Sequence, residues 1–353
     1  MKKLSFITKN LKSFDLAKSY NNYKSIRQEG KTSKISYIPP RFTFTITSKC
    51  NLRCPTCQYM LQDPQLFENS GFMNIDDYKN ILSKYKRYIT NLTLTGGEAT
   101  LHPELEKFIN FSKSIGLKVA LISNGILIKK RLSSIKKLND LNITLDAFDF
   151  QSFARNRGGT AKQWDSIMEG LQTLRENNIK FTISFLSTRK NIDELFQLIE
   201  FADEFHPTTL RLNSFNPHCA CKDLVLTKSD THVMDIISEI MKRKDYSYNI
   251  KMPFIFDERH TYFDNKICGY PWHGVYVNEK CDVAYCCQLP HDSRIGIICD
   301  DYNFNSEDML VWRKMLMNHK LGVDCKFCHR RFKGDYTKFI AEKKRWEVKD
   351  PFI

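Results

Sequence analysis

The 353-residue chain is 42% hydrophobic and rich in Phe and Tyr, a composition that supports a sizeable folded core and excludes a disordered protein. Its formal net charge of +14 is spread along the whole sequence, with no basic cluster interleaved with aromatics. A solvated basic surface with some preference for anionic substrates is therefore expected, and no nucleic-acid partner.

No apolar run approaches the roughly 18 residues of a membrane span, so no transmembrane segment is expected. The start, L-S-F-I-T-K-N, is too short and too charged for a signal-peptide core, which points to a cytoplasmic location. Twelve cysteines in that compartment read as metal ligands before disulfides.

Residues 1–40 read as an appended helix and linker. Leu4, Ile7, Leu11, Phe14 and Ala17 recur at helical spacing, and Gly30 and Pro39-Pro40 end the segment. Such a helix either packs on the fold or rests on an anionic surface. From Phe42 to Thr47 aromatic, aliphatic and Thr residues alternate, as a half-buried strand requires.

A helix over 73–88 follows, with Asn74 as cap and Ile75, Tyr78, Ile81 and Leu82 on one face. A strand over 91–95 ends in Gly96-Gly97-Glu98, and a helix over 103–115 opens with Pro103. A strand over 118–122 ends in Ser123-Asn124-Gly125, followed by a helix over 127–138 and a strand over 142–145 that ends at Asp146. A helix over 161–177, a strand over 180–185 containing Ser184, a helix over 192–204 and a strand over 209–212 complete the series. Arg211 and Asn213 stand at its last end. Residues 58–71 and 151–160 read as loops.

Six strand–helix repeats predict a parallel, right-handed α/β architecture, too few for eight strands and therefore a partial (β/α)6 TIM-like barrel. Chemistry in such folds gathers at the C-terminal ends of the strands, where all of these motifs fall.

The stretch T-S-K-C-N-L-R-C-P-T-C places Cys50, Cys54 and Cys57 just after the first strand. Three thiols on one short loop can converge on a soft metal centre, and on a four-iron cube they would leave one iron open to a small molecule. Half of a zinc site, or free thiols, are the other readings of the triad. Cys268, Cys286, Cys325 and Cys328 form a second set in the last third, which on spacing alone fits an iron–sulfur cluster or a zinc ribbon. Cys219 and Cys221 read as free thiols, and Cys299 as a small buried side chain.

The C-x3-C-x2-C triad after a first strand, with G-G-E about forty residues on, resembles the radical S-adenosylmethionine (radical SAM) superfamily. The resemblance implies a [4Fe-4S] cluster on Cys50, Cys54 and Cys57 and S-adenosyl-L-methionine on its open iron. Gly96, Gly97 and Glu98 would meet the methionine amine, and Ser123 and Asn124 the ribose or carboxylate. An Asn-Gly turn is the plain alternative for that last motif. Ser184, Arg211 and Asn213 are further cofactor contacts by position, and Thr56 stands where many members carry an aromatic against adenine.

The T-L-D and R-N-R-G stretches resemble an S-L-D-G…R-G segment. They make Asp146 the catalytic candidate, as substrate ligand or proton acceptor, with a helix cap or a salt bridge to Arg155 or Arg157 as the alternative. The last third resembles a SPASM/twitch extension holding one auxiliary [4Fe-4S] cluster on Cys268, Cys286, Cys325 and Cys328. Val283 sets the alignment that favours Cys286 over Cys287 and puts Cys281 at a glycine position.

The domains expected are an N-terminal extension (1–40), the barrel (41–215), a connecting helical segment (216–262) and a small Cys-rich SPASM/twitch domain (263–345). The activity implied is reductive cleavage of S-adenosylmethionine to a 5′-deoxyadenosyl radical, hydrogen abstraction, and oxidation of a small polar metabolite such as a sugar or nucleotide-linked sugar. A peptide-modifying enzyme is the alternative, and a non-catalytic metal-binding protein a third. The partners expected are that substrate and an electron donor such as flavodoxin or ferredoxin.

Overall fold

The computed structural model describes residues 13–57, 71–215, 222–243, 246–253, 255, 267–284, 294–299 and 302–318. Its centre is strand β1 (Arg41–Thr47), whose two faces differ as the sequence alternation requires. Phe42, Phe44 and Ile46 are buried on the outer face, against helices. Helix α2 (Ile75–Tyr85) brings Tyr78 edge-on to Phe44, ring centroids 4.9 Å apart, and Phe108 of helix α3 (Leu105–Ser114) continues the stack at 4.6 Å from Tyr78. Asn74 caps α2 as expected, its side chain accepting from the Asp76 N–H.

Strands β2 (Asn91–Gly96), β3 (Val119–Ser123), β4 (Asp140–Thr144), β5 (Thr182–Ser187) and β6 (Thr209–Ser214) follow β1 in order, each parallel to the last. This is the partial α/β barrel that the repeats predicted. The sheet, however, runs further in both directions. Strand β7 (Asn249–Lys251) adds in parallel beyond β6, and β8 (Gly274–Val277) pairs in parallel with the other edge of β1. Antiparallel β9 (Asp282–Ala284) and β10 (Arg294–Ile297) then complete ten strands in one sheet. Segments of three or four residues are too short to show a two-residue period, so sequence alternation does not reveal them.

Two local expectations change. The helix expected over 127–138 is reduced to Leu132–Ile135, because the chain leaves β3 through turns that begin at Gly125, with φ 91. The loop expected over 151–160 contains a helix, Phe150–Arg157, closed by Gly158 in the left-handed region. Asp149 and Ser152 form its capping box, a D-x-x-S signal present in the sequence.

Helix α1 (Ser13–Gln28) exists, but Leu4, Ile7 and Leu11 of the expected stripe lie outside the described residues. Its buried side chains are polar. Asn21 donates to the Ile38 carbonyl at 2.6 Å and accepts from the Ile38 N–H, a backbone-like clamp on the linker. Among the described helices none is long and apolar enough to cross a membrane.

One cation ties the linker before β1 to the segments just before β8 and after β10. Arg313, fully buried in the helix Glu307–Met317, donates to the carbonyls of Ser33, Pro271 and Phe304, and burial lowers its pKa to about 10. Arg313→Met removes all of these donors from buried carbonyls. It should lower the unfolding free energy by about 2–4 kcal/mol, read as a reduced urea midpoint of the cluster-free protein.

Candidate active site

The C-terminal ends of β1 and β2 are fastened backbone to backbone. Gly97 N–H donates to the Thr47 carbonyl at 2.9 Å and Glu98 N–H to the Lys49 carbonyl at 2.8 Å, so G-G-E is tied to the first residues of the cysteine loop. The approach leaves no room for side chains. A Cβ on Gly97 would lie 2.5 Å from the Lys49 oxygen and 2.6 Å from that of Ser48, and one on Gly96 2.1 Å from the Thr47 oxygen. These glycines thus serve contact between two strand ends, in addition to lining the cavity described below.

The loop is braced from its other side by Gly158, at φ 63, where a Cβ would lie 2.8 Å from the Arg53 oxygen. Within the loop, Cys57 N–H donates to the Cys54 carbonyl, and Arg53 donates to the carbonyls of Cys50 and Leu52.

Glu98 is buried and its carboxylate is fully engaged. Oε1 accepts from Thr100 N–H, from the Thr100 hydroxyl and from the Ser123 hydroxyl at 2.9 Å, while Oε2 accepts from Asn124 N–H at 2.6 Å. Asn124 in turn donates to Asn51 Oδ1 at 2.8 Å, and Gln163 donates to the Asn51 carbonyl. One anion therefore sets the ends of β2 and β3 and, through Asn124, the cysteine loop. The Asn-Gly turn and the site residue are the same feature.

Asp146 also serves as an organiser. It has a left-handed backbone, with φ 55. Its Oδ1 accepts from Leu186 N–H at 2.6 Å and its Oδ2 from Arg157 Nη1 at 2.7 Å, in a nearly buried ion pair. Of the alternatives weighed for Asp146, the bridge to Arg157 is the one formed.

Arg157 lies beside the thiols. Burial pushes Cys54 up to about 11, with the Arg157 guanidinium opposing it, and burial raises Cys50 likewise. Burial thus favours the neutral thiol at Cys50 and Cys54, and a bound metal centre would have to take them as thiolates.

Cys50, Cys54 and Cys57 share the wall of one cavity of about 250 Å³ with Gly96, Gly97, Glu98, Ser123, Asn124, Asp146, Arg157 and Asn213. Three soft thiol donors converge on one concavity beside a cation, a donor set that fits an iron–sulfur cluster held by three protein ligands. A second cavity, of about 1100 Å³, shares Thr95, Gly96 and Ile122 with it as a common wall. Thr43, Thr93, Arg211, Cys268, Tyr270 and Tyr276 also line this larger space.

Two residues expected as cofactor contacts do not line the cysteine cavity. Arg211 lines the larger cavity, because its position on β6 turns the side chain toward the barrel interior below the strand ends. Ser184 is buried and donates to Asn142 Oδ1 at 2.7 Å, bridging β5 and β4.

Of the second cysteine set only Cys268 is described, half-buried on the wall of the larger cavity. Cys286, Cys325 and Cys328 lie outside the described residues, as do Cys219, Cys221 and Cys287. Cys281 is buried with φ 66, the backbone of a glycine position. Cys299 is exposed, not buried as expected, because the neighbouring Ile298 takes the inward place and donates its N–H to the Cys281 carbonyl.

Sequence reasoning missed Asn51, Thr95, Thr144 and Leu186 as parts of the site. For Thr95 the Thr-x-Thr alternation in β2 was the available signal, since those threonines face away from the apolar helix side.

Gly97→Ala tests the strand-end junction. The added carbon meets backbone, which cannot swing away, so stability should fall by about 2–3 kcal/mol in a urea melt. Iron retained on reconstitution should fall with it.

Residues 44–202 match the Radical SAM superfamily. The antilisterial bacteriocin subtilosin biosynthesis protein AlbA of Bacillus subtilis (strain 168) is 23% identical over 280 residues, covering 76% of this chain and 60% of that protein. GTP 3′,8-cyclase of Campylobacter fetus subsp. fetus is 30% identical over 222 residues, 59% of this chain and 63% of that one. The chain thus spans about three fifths of the length of these curated relatives. The crystal structure of Streptococcus suis SuiB bound to S-adenosylmethionine has the same fold, with a TM-score of 0.59 at 16% identity, covering 92% of this chain and 79% of that one. The cysteine triad, the G-G-E junction and the parallel barrel agree with this match over residues 44–202, and members of that superfamily use a [4Fe-4S] cluster and S-adenosylmethionine.

Proposed function

We propose that this protein is a radical SAM enzyme that modifies a peptide, with Cys50, Cys54 and Cys57 holding the catalytic cluster. The observation that carries the reading is the shared wall of Thr95, Gly96 and Ile122 between the small cysteine-lined cavity and the large one. A substrate in the larger space lies next to the cofactor in the smaller. When bound, the cluster and S-adenosylmethionine supply an electron and a 5′-deoxyadenosyl radical, which removes a hydrogen from an unactivated carbon.

The chain's own residues bind, orient and shield. Gly96, Gly97, Ser123 and Asn124 present backbone and amide groups to the methionine end. Arg157 offsets the negative charge of the thiolates. Asp146 keeps Arg157 in place and positions β5 through Leu186, a positioning role in place of the catalytic one expected. The barrel threonines and Arg211 offer hydroxyls and a cation to a polar substrate.

A volume of about 1100 Å³ exceeds what a small metabolite fills, which favours an extended substrate. AlbA's named part in making a bacteriocin, and a structure of SuiB bound to its precursor peptide SuiA, lend support to a peptide. Oxidation of a sugar, the leading expectation from sequence, has no counterpart among these relatives. An anionic nucleotide is the second reading, favoured by Arg211 in the cavity and by the similarity to GTP 3′,8-cyclase.

The proposed division of labour leaves S-adenosylmethionine chemistry to residues 41–215. It gives an auxiliary [4Fe-4S] cluster to Cys268, Cys286, Cys325 and Cys328 within 263–345. A reducing cytoplasm with a flavodoxin- or ferredoxin-type donor suits both clusters.

Anaerobic reconstitution of the wild type should give about eight irons per chain, falling to about four in Cys50/Cys54/Cys57→Ala. Dithionite-dependent 5′-deoxyadenosine should form only in the wild type. A deuterated peptide that passes its label into 5′-deoxyadenosine would establish the peptide reading, and label from deuterated GTP would replace it with the nucleotide one. Arg211→Ala should raise KM for an anionic substrate by about tenfold or more, while substrate-free cleavage of S-adenosylmethionine stays unchanged. Absence of iron and of cleavage in the wild type would sink the proposal.

A further inference from the structure

Among the described residues, a second group of metal-ligating side chains lies outside the cavities above. One donor atom each from Asp77, Cys281 and Cys299 all fall within 4.8 Å of one another. They come from three places in the fold. Asp77 is in the first turn of α2, Cys281 in the turn between β8 and β9, and Cys299 just beyond β10.

Hydrogen bonds hold the segments of the two cysteines together. Cys281 N–H donates to the Asn278 carbonyl at 3.0 Å, Ile298 N–H to the Cys281 carbonyl at 2.9 Å, and Asn278 accepts from Asp282 N–H at 2.9 Å.

We propose that Asp77, Cys281 and Cys299 bind one soft divalent cation, zinc by preference, through two thiolates and one carboxylate, with a fourth position open to water. Tetrahedral zinc, with sulfur at about 2.3 Å and oxygen at about 2.0–2.2 Å, sets its ligand atoms roughly 3.3–3.8 Å apart. The three donors need only small adjustments to reach that spacing. The exposed side of Cys299 leaves the fourth position facing solvent.

Binding replaces two thiol protons by the cation and releases both to solvent, and no electron is transferred. Without a cation, burial and the neighbouring Cys299 sulfur keep the Cys281 thiol protonated. A bound cation stabilises the thiolate instead. A disulfide is the other use of two adjacent thiols, but it would need an oxidant and would give Asp77 no part. The carboxylate in the group favours the cation.

The site would tie the first helix of the barrel to the β8–β9 turn. That turn also carries Glu279, whose carboxylate accepts from the Ser48 hydroxyl at 3.0 Å, two residues before Cys50. The proposed site thus stands near the edge of the cysteine loop without touching its ligands.

The test uses the full chain, anaerobically reconstituted with iron and sulfide, equilibrated with zinc and desalted. Wild type should retain about one zinc per chain beyond any held elsewhere, with a zinc-edge absorption spectrum of two sulfur and two light-atom ligands. Cys299→Ala should lose that zinc, and so should Cys281→Gly, which removes the thiol where the backbone already suits glycine. Asp77→Asn should weaken zinc by about tenfold or more. Iron content and 5′-deoxyadenosine formation should be unchanged in all three, which separates this site from the catalytic reading. Equal zinc in wild type and both cysteine variants would overturn the proposal. So would a Cys281–Cys299 disulfide-linked peptide in the anaerobically alkylated digest of the zinc-treated wild type.

Discussion

The junction between the ends of β1 and β2 is the constraint on which the rest of the site depends. Two backbone hydrogen bonds, Gly97 to Thr47 and Glu98 to Lys49, bring the two strand ends so close that neither glycine can carry a side chain. The cysteine loop starts at that contact, so its origin is fixed by main chain and cannot be adjusted by a rotamer. A cluster held by three thiols on a short loop needs such a fixed base, because loops otherwise sample many conformations.

Charge is then arranged in layers around the junction. Glu98 carries its anion into the protein and satisfies it with two backbone N–H groups and two hydroxyls, so that β2, β3 and, through Asn124 and Asn51, the cysteine loop share one network. The Asp146–Arg157 pair does the same on the other flank, linking β4, β5 and the helix that ends at Gly158. Both carboxylates look like chemical groups in the sequence. In the fold their oxygens are occupied by neighbours, and the groups that face the cavity are backbone, amides, thiols and a cation. In the structure the contacts of these two acidic residues hold neighbouring segments together.

The sheet links this centre to the C-terminal third. Because β8 pairs with the open edge of β1, Cys268 and Tyr276 line the same cavity as Arg211. A cavity bounded by the barrel on one side and the C-terminal strands on the other follows from that pairing. Short strands make it possible: β8 has four residues and β9 three, enough to dock but too few to announce themselves.

The cysteine triad, G-G-E, S-N-G and the strand–helix alternation were legible in the sequence, because each depends on local spacing and on the two-residue period of a half-buried strand. The parallel order of β1 to β6 followed from them through the handedness of βα units. Only the tertiary structure decided what the side chains do once they meet. It turned Arg211 into the larger cavity, buried Ser184 against Asn142, spent Asp146 on Arg157, and brought Asp77 to Cys281 and Cys299. The reason is physical: spacing along a chain fixes which residues share a face. Which oxygen accepts which proton, and which distant thiols become neighbours, depends on contacts between segments that are separate in the chain, and these leave no periodic trace.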